Sequence, residues 1–292
     1  MESIFPSISA ILSISGLGLA FGIILSIAKI KLKVDKDPRI LKISDALPGA
    51  NCGACGLPGC NAYAQKIVEN DMDISLCPVG GSETIAEIAE IMGKEAVAGV
   101  ATIAKVHCQG TISVTKQKFE YDGPLSCKAS QGIMGGDKMC SYGCLGYGDC
   151  VAVCPFDAII MSPEGLPVVN IEACTGCGNC VTACPRDIIS LVPENFDVLV
   201  MCKNREKTPI MKKGCTVGCI GCQLCVKACK KVFEDNPNIE SAVTVDSFCA
   251  SINYDICTNC YSCVEVCPVP VIHPIVKSNK YKKEQEKALA AK

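Results

Sequence analysis

Twenty-five of the 292 residues are cysteine, and their spacing states what they could hold. Cys174-x2-Cys177-x2-Cys180-x3-Cys184-Pro185 and Cys257-x2-Cys260-x2-Cys263-x3-Cys267-Pro268 match the bacterial ferredoxin run in full. In that run three close thiolates take one 4Fe–4S cluster and the fourth takes the other cluster of a pair. Cys219-x2-Cys222-x2-Cys225-x3-Cys229 matches too, except that Lys230 stands where Pro is expected. An earlier run is altered: Cys140-x3-Cys144-x5-Cys150-x3-Cys154-Pro155. A further group, Cys52-x2-Cys55-x4-Cys60-x16-Cys77, lies in the context PGANCGACGLPGC and CPVGG. Its Gly53, Gly56 and Gly59 remove side chains where backbone must wrap an inorganic cube and aim N–H groups at sulfur. Zinc can also take four cysteines, but zinc ribbons show two well-separated C-x2-C knuckles.

Because paired runs interlock, the spacings assign 20 thiols to five clusters. Cys52, Cys55, Cys60 and Cys77 are expected to hold the first. The second would use Cys140, Cys144, Cys150 and Cys184, and the third Cys154, Cys174, Cys177 and Cys180. The fourth would use Cys219, Cys222, Cys225 and Cys267, and the fifth Cys229, Cys257, Cys260 and Cys263. The chain repeats internally: a shift of 75 lays Cys127, Cys140, Cys144, Cys150 and Cys154 onto Cys202, Cys215, Cys219, Cys225 and Cys229. The last runs of the two copies are offset by 83, so the second copy has gained residues before its final run. Tyr147 falls where the second copy has Cys222, which makes Cys140 the expected substitute ligand in copy one and leaves Cys215 ambiguous. Cys108, Cys127, Cys202, Cys215 and Cys249 remain. Buried free thiol is their ordinary reading. The register also leaves open an additional metal site or alternate ligand set drawing on Cys108, Cys127, Cys202 and Cys215.

These runs need elements to carry them. From Ser3 to Ala28 no residue is charged, a length sufficient for one transmembrane helix. Glu2 precedes this stretch, while Lys29, Lys31, Lys33, Lys36, Arg39 and Lys42 follow it. That asymmetry predicts a retained single-pass anchor with the N-terminus outside and the cluster domains in the cytoplasm. In a reducing compartment the thiols are metal ligands rather than disulfides. A helix is expected over 61–68, another from Ser82 as N-cap through Met92, and strands over 166–171 and 242–246. The resulting architecture is α+β. It comprises an anchor (1–30), a small 4Fe–4S domain (31–98), a linker or packing segment (99–126), two tandem dicluster ferredoxin modules (127–201 and 202–276) and a charged tail (277–292). A net charge of −2 with no Trp and two His argues against nucleic acid as a partner and leaves little for His-ligated metal. The Cys215-x3-Cys219-x2-Cys222 spacing also occurs in radical S-adenosylmethionine enzymes, but here it lies inside a ferredoxin repeat.

The apolar helix, the LPGANCGACGLPGC…CPVGG segment and the CSYGCLGYGDCVAVCPFDAI run resemble the B subunit of the Rnf complex, the membrane-bound ion-translocating ferredoxin:NAD oxidoreductase. The resemblance runs from the helix to about Pro274, and the second ferredoxin module is like that of the longer versions of this subunit. It implies an electron relay that accepts electrons from soluble reduced ferredoxin and passes them toward flavin- and NADH-binding subunits, with membrane lipid around the anchor. A hydride acceptor needs a flavin between it and one-electron clusters, and no flavin or nicotinamide site is legible, so catalytic residues are not expected in this chain. The alternative is a membrane-tethered polyferredoxin serving another redox enzyme.

Overall fold

The computed structural model describes residues 4–31, 37–96, 99–234 and 241–274, with side chains in the first segment described over 14–28. The charged tail at 277–292 and most of the basic stretch after the apolar run lie outside the described residues. Helix α1 (Ile4–Lys31) is unbroken over 28 residues. Ile14, Leu17, Phe21 and Leu25 on it are more than half exposed, and a Cβ added at Gly18 or Gly22 would meet open space. Counted over the described residues, no helix is long and apolar enough to cross a membrane.

The small domain is three helices, α2 (Pro38–Ala46), α3 (Cys60–Asn70) and α4 (Gly81–Met92). Asp37 caps α2 by accepting the Arg39 N–H at 2.9 Å, and Pro38 follows where its missing N–H is not needed. Ile43, Ile67 and Ile88, one from each helix, are fully buried against one another and Tyr63. Ser82, expected as the cap of α4, lies inside its first turn, and Gly80 takes the cap position. A Cβ on Gly80 would stand 2.6 Å from Thr84 Cβ, so close packing on the first turn selects glycine over a capping hydroxyl there. The Tyr63 hydroxyl donates to Asp73 O at 2.7 Å and accepts from Leu76 N–H at 3.1 Å. It thereby fixes the loop that delivers Cys77.

Next come β1 (Thr102–Val106), α5 (Cys127–Gly132), α6 (Asp149–Ala152), β2 (Ile159–Met161), β3 (Pro167–Val169), α7 (Asn179–Ala183) and β4 (Ile189–Pro193). Then follow β5 (Val198–Val200), α8 (Thr208–Gly214), α9 (Leu224–Val232), β6 (Val243–Asp246), β7 (Cys249–Ile252), α10 (Ser262–Glu265) and β8 (Ile272–Pro274). Both halves build the same object from two antiparallel ribbons. β1 pairs with β4 as β5 pairs with β8, and β2 with β3 as β6 with β7. The strands anticipated near 166–171 and 242–246 are β3 and β6, each shorter than expected.

The segment 99–126 is not only a linker: β1 belongs to the outer ribbon of the first module, with Val106 opposite Ile189. Its five residues include Lys105, and a strand that short with a charged residue in it gives too weak an alternation to read from sequence. The ribbons reach upstream of residues 127 and 202, since β1 pairs with β4 and β5 with β8. Each core is thin and made partly of cysteine. Cys150 and Cys180 are buried with Ile159, Ile188 and Ile189, and Cys225 and Cys263 with Val243, Val271 and Ile272.

Removing the Tyr63 hydroxyl takes away the partner of the part-buried Leu76 N–H and Asp73 carbonyl, at a cost of about 1 kcal/mol. Tyr63→Phe should therefore lower the denaturant midpoint of the small domain. An unchanged midpoint would mean that Tyr63 does not pin the Cys77 loop.

Candidate metal centres

In all four ferredoxin runs the residues on either side of the middle position take left-handed backbone. They are Gly146 and Gly148, Gly176 and Gly178, Gly221 and Gln223, and Asn259 and Tyr261. Repeated left-handed turns coil a short loop so that successive N–H groups face inward, forming an anion-binding concavity. Glycine removes the steric penalty of that conformation. The loop around Tyr147 keeps the shape although its middle residue is not a thiol.

The thiols gather in fours. Cys219, Cys222, Cys225 and Cys267 line one cavity of about 330 Å³. Burial pushes the Cys77 thiol up, with Cys60 and Cys52 adding to the push, and Cys55 packs on the same core. Cys180 is raised to about 11, first by burial and then by Cys174, Cys177 and Cys154. Cys263 is raised to about 12 by burial, with Cys257, Cys260 and Cys229 among its charge neighbours. These four groups are the first, third, fourth and fifth quartets expected from the spacings.

The second quartet differs. The cavity under the altered run, about 360 Å³, is lined by Cys127, Cys144, Cys150 and Cys184, and Cys140 does not reach it. Asp149 explains how Cys127 arrives. Its carboxylate accepts the N–H groups of Cys127 and Lys128 at 2.9 and 3.0 Å and the Ser126 hydroxyl at 3.0 Å. That anchors the start of α5 against the run. Tyr147, in the missing thiol's place, turns its hydroxyl to Asp137 at 3.0 Å. The constant shift of 75 hid this by aligning Cys127 with Cys202. The legible signal was the gap at Tyr147 together with an upstream cysteine to fill it.

Cys140 instead shares a cavity of about 350 Å³ with Cys108, Cys202 and Cys215. Cys215 is raised to about 11, first by burial and then by Cys140, Cys108 and Cys202. Cys249 lies beside this group, its thiol donating to Cys202 O at 3.2 Å. Cys249 also bonds the Cys202 and Cys219 sulfurs, which lowers both of their values and raises its own. Both histidines are engaged in hydrogen bonds, His107 through both of its nitrogens. His107 bonds Val200 O at 2.8 Å and Ser190 Oγ at 2.5 Å, and burial lowers it to about 4. His273 bonds Gln109 Oε1 at 2.8 Å.

Among the described residues, no group of three or more His, Cys, Asp or Glu is arranged to hold a single metal ion. The thiols stand around cavities instead, as a four-iron cube requires of four thiolates. Backbone N–H groups reach several sulfurs, among them Ala104 to Cys174 at 3.4 Å, the contacts that set a cluster's potential. The groups also adjoin one another. Cys177 has Cys52 as a charge neighbour, and Asn179 bonds Cys52 O at 3.3 Å. Cys150 neighbours Cys180, and Cys263 neighbours Cys225.

Fold and site together define a multi-cluster iron–sulfur protein of the ferredoxin type. A family model for an Fe-S cluster matches residues 47–79, one for a 4Fe-4S dicluster domain matches 139–189, and models for 4Fe-4S binding domains match 216–232 and 250–273. The chain is 48% identical to the B subunit of the Na(+)-translocating ferredoxin:NAD(+) oxidoreductase complex of Acetobacterium woodii, over 90% of this chain and 76% of that one. It is 40% identical to the B subunit of the ion-translocating oxidoreductase complex of Methanosarcina acetivorans, over 91% and 97%. It is 34% identical to the B subunit of the proton-translocating ferredoxin:NAD(+) oxidoreductase complex of Clostridium ljungdahlii, over 94% and 95%. The chain belongs to this family, the B subunits of the Rnf-type ion-translocating oxidoreductases, and carries multiple 4Fe–4S clusters.

Without iron the thiol groups carry a pH liability. Burial holds Cys150 and Cys263 at about 12 and Cys180, Cys215 and Cys225 at about 11, whereas an unfolded thiol ionises near about 8.5. With folded values raised, the stability from keeping these thiols neutral is complete below about pH 8.5 and lost as pH rises toward the folded values. The iron-free chain should melt at steadily lower temperature from about pH 8.5 upward. The iron-loaded chain, whose sulfurs are already thiolates, should melt independently of pH over that window. Parallel slopes in thermal melts of the two forms would contradict this.

Proposed function

We propose that this chain is the iron–sulfur electron-relay subunit of a membrane-bound, ion-translocating ferredoxin:NAD oxidoreductase. In this reading it accepts electrons from reduced ferredoxin and delivers them to flavin-bearing partner subunits. The observation that carries the reading is two series of adjoining thiol quartets, the first, third and second and then the fourth and fifth, in a chain of this family. Bound 4Fe–4S clusters supply one-electron uptake and release. The first cluster is assigned to Cys52, Cys55, Cys60 and Cys77, and the third to Cys154, Cys174, Cys177 and Cys180. Cys219, Cys222, Cys225 and Cys267 take the fourth, and Cys229, Cys257, Cys260 and Cys263 the fifth. For the second, the cavity lining supports Cys127 in place of Cys140 beside Cys144, Cys150 and Cys184.

The residues around these quartets keep water away and supply charge. Arg186 is buried; its guanidinium bonds Cys140 O at 2.7 Å and also bonds Gly135 O and Gln131. It has Cys140, Cys144 and Cys184 as charge neighbours, so it offsets the negative charge that thiolate ligands bring.

Helix α1 is the proposed single-pass anchor, with the N-terminus outside and the cluster domains in the cytoplasm. Its exposed Ile, Leu and Phe side chains support lipid as their surroundings, and its Gly18–Gly22 face permits close approach by a partner helix.

The test is stopped-flow mixing of the purified, iron-loaded chain with reduced ferredoxin and, separately, with NADH. Ferredoxin should bleach the brown absorbance, and NADH should leave it unchanged until flavin-bearing subunits are added. Rapid bleaching by NADH alone, or stoichiometric flavin in the isolated chain, would overturn the relay assignment.

A further inference from the structure

We propose that Cys108, Cys140, Cys202 and Cys215 hold a sixth 4Fe–4S cluster that joins the two ferredoxin modules.

The four thiols come in two equivalent pairs, one from each module. Cys108 lies two residues beyond the end of β1, and Cys202 two residues beyond the end of β5. These strands have the same role in the two modules, each pairing with the strand after the last cysteine run. The chain between strand and thiol is held alike: His107 N–H donates to Ile188 O, and Met201 N–H to Val271 O, both at 2.7 Å. Each sulfur then accepts the same two backbone N–H groups. Gly110 and Cys144 donate to Cys108 Sγ at 3.4 and 3.5 Å, and Asn204 and Cys219 donate to Cys202 Sγ at 3.4 Å each. Cys140 and Cys215 complete the pairs, since both precede the first cysteine of the following run by four residues. The partner of Cys202 in the repeat is thus Cys108. Thirty-one residues separate Cys108 from Cys140 but twelve separate Cys202 from Cys215. The longer loop of the first module contains Cys127, which lines the second quartet's cavity instead.

The cavity between the pairs matches those of the ferredoxin quartets in size. Its empty volume, about 350 Å³, lies between those of two ferredoxin quartets, about 330 and 360 Å³. Cys108, Cys140 and Cys215 are buried. A Cβ on Gly143 would lie 3.3 Å from Cys140 Sγ, closer than ordinary packing allows, so glycine keeps that wall clear of the sulfur. The Asn204 amide donates to Cys140 Sγ at 3.3 Å. Lys138 is buried, and its ammonium has no hydrogen-bond partner, while Cys108 and Cys144 have it as a charge neighbour. A buried cation without a partner is costly, and a polyanionic cluster beside it removes that cost.

This placement also supplies a missing link. Cys108 adjoins the second quartet through Cys144, and Cys202 adjoins the fourth through Cys219. The six quartets then follow one another without a gap, in the spatial order first, third, second, sixth, fourth, fifth.

The experiment counts iron, acid-labile sulfide and zinc in the anaerobically reconstituted full chain and in Cys108→Ala and Cys215→Ala. We expect about 24 iron and 24 sulfide per chain, as six cubes require, no zinc, and a fall to about 20 iron in either variant. About 20 iron in the unaltered chain, with or without one zinc, overturns the proposal whether or not the variants fold. So does a count of about 24 that neither substitution lowers, because it places the extra iron elsewhere. The count is independent of the electron donor, so its failure would leave the relay reading standing.

Discussion

Four thiolates facing one cavity repel one another and cannot be left dry without a counter-charge, and this constraint shapes the rest of the molecule. It explains why the loops coil through left-handed residues on both sides of each middle position, turning N–H groups toward sulfur. It explains the buried Arg186 and Lys138, cations in a protein whose surface has little net charge to spare. It also explains the thin aliphatic shells: Ile159, Ile188 and Ile189 on one side and Val243, Val271 and Ile272 on the other have only to enclose a cluster.

The small domain meets the same demand differently. Its three helices form an aliphatic core of their own around Ile43, Ile67 and Ile88, and the first quartet sits at its edge. Asn51, in the loop before α3, accepts the Cys60 N–H at 2.9 Å and so ties that loop to the start of the helix. The ferredoxin modules lack such a core and lean on each other. Gln109 of the first module bonds Val217 O and Pro270 O of the second at 2.8 and 2.9 Å, and His107 bonds Val200 O. These contacts frame the cavity of Cys108, Cys140, Cys202 and Cys215, so the junction is built as carefully as either module.

Much of this was legible in the cysteines. Four quartets follow directly from spacing, because the interlock of C-x2-C-x2-C-x3-C runs is a rule about short loops around cubes. The helices α3 and α4 and the strands β3 and β6 were also within reach of pattern. What the sequence hid were pairings over long separations. Cys127 is brought to the cavity of Cys144, Cys150 and Cys184 by Asp149, 22 residues on, and neither spacing nor periodicity reports such a contact. β1 pairs with a strand more than 80 residues away, and its five residues are too few to announce it. The equivalence of Cys108 and Cys202 was masked by a coincidental match of Cys127-Lys128 with Cys202-Lys203 at the regular shift. Only the ribbons, which tie β1 to β4 and β5 to β8, set the repeat in its spatial register.

If the thiols form one unbroken series of quartets across both modules, the iron must lie in one unbroken file. A map of iron positions in the loaded chain, from anomalous scattering at the iron edge, tests this most directly. Six cube-sized peaks are expected in a continuous file, the fourth of them between the two modules and bounded by Cys108, Cys140, Cys202 and Cys215. Five peaks with a gap at that junction would contradict it.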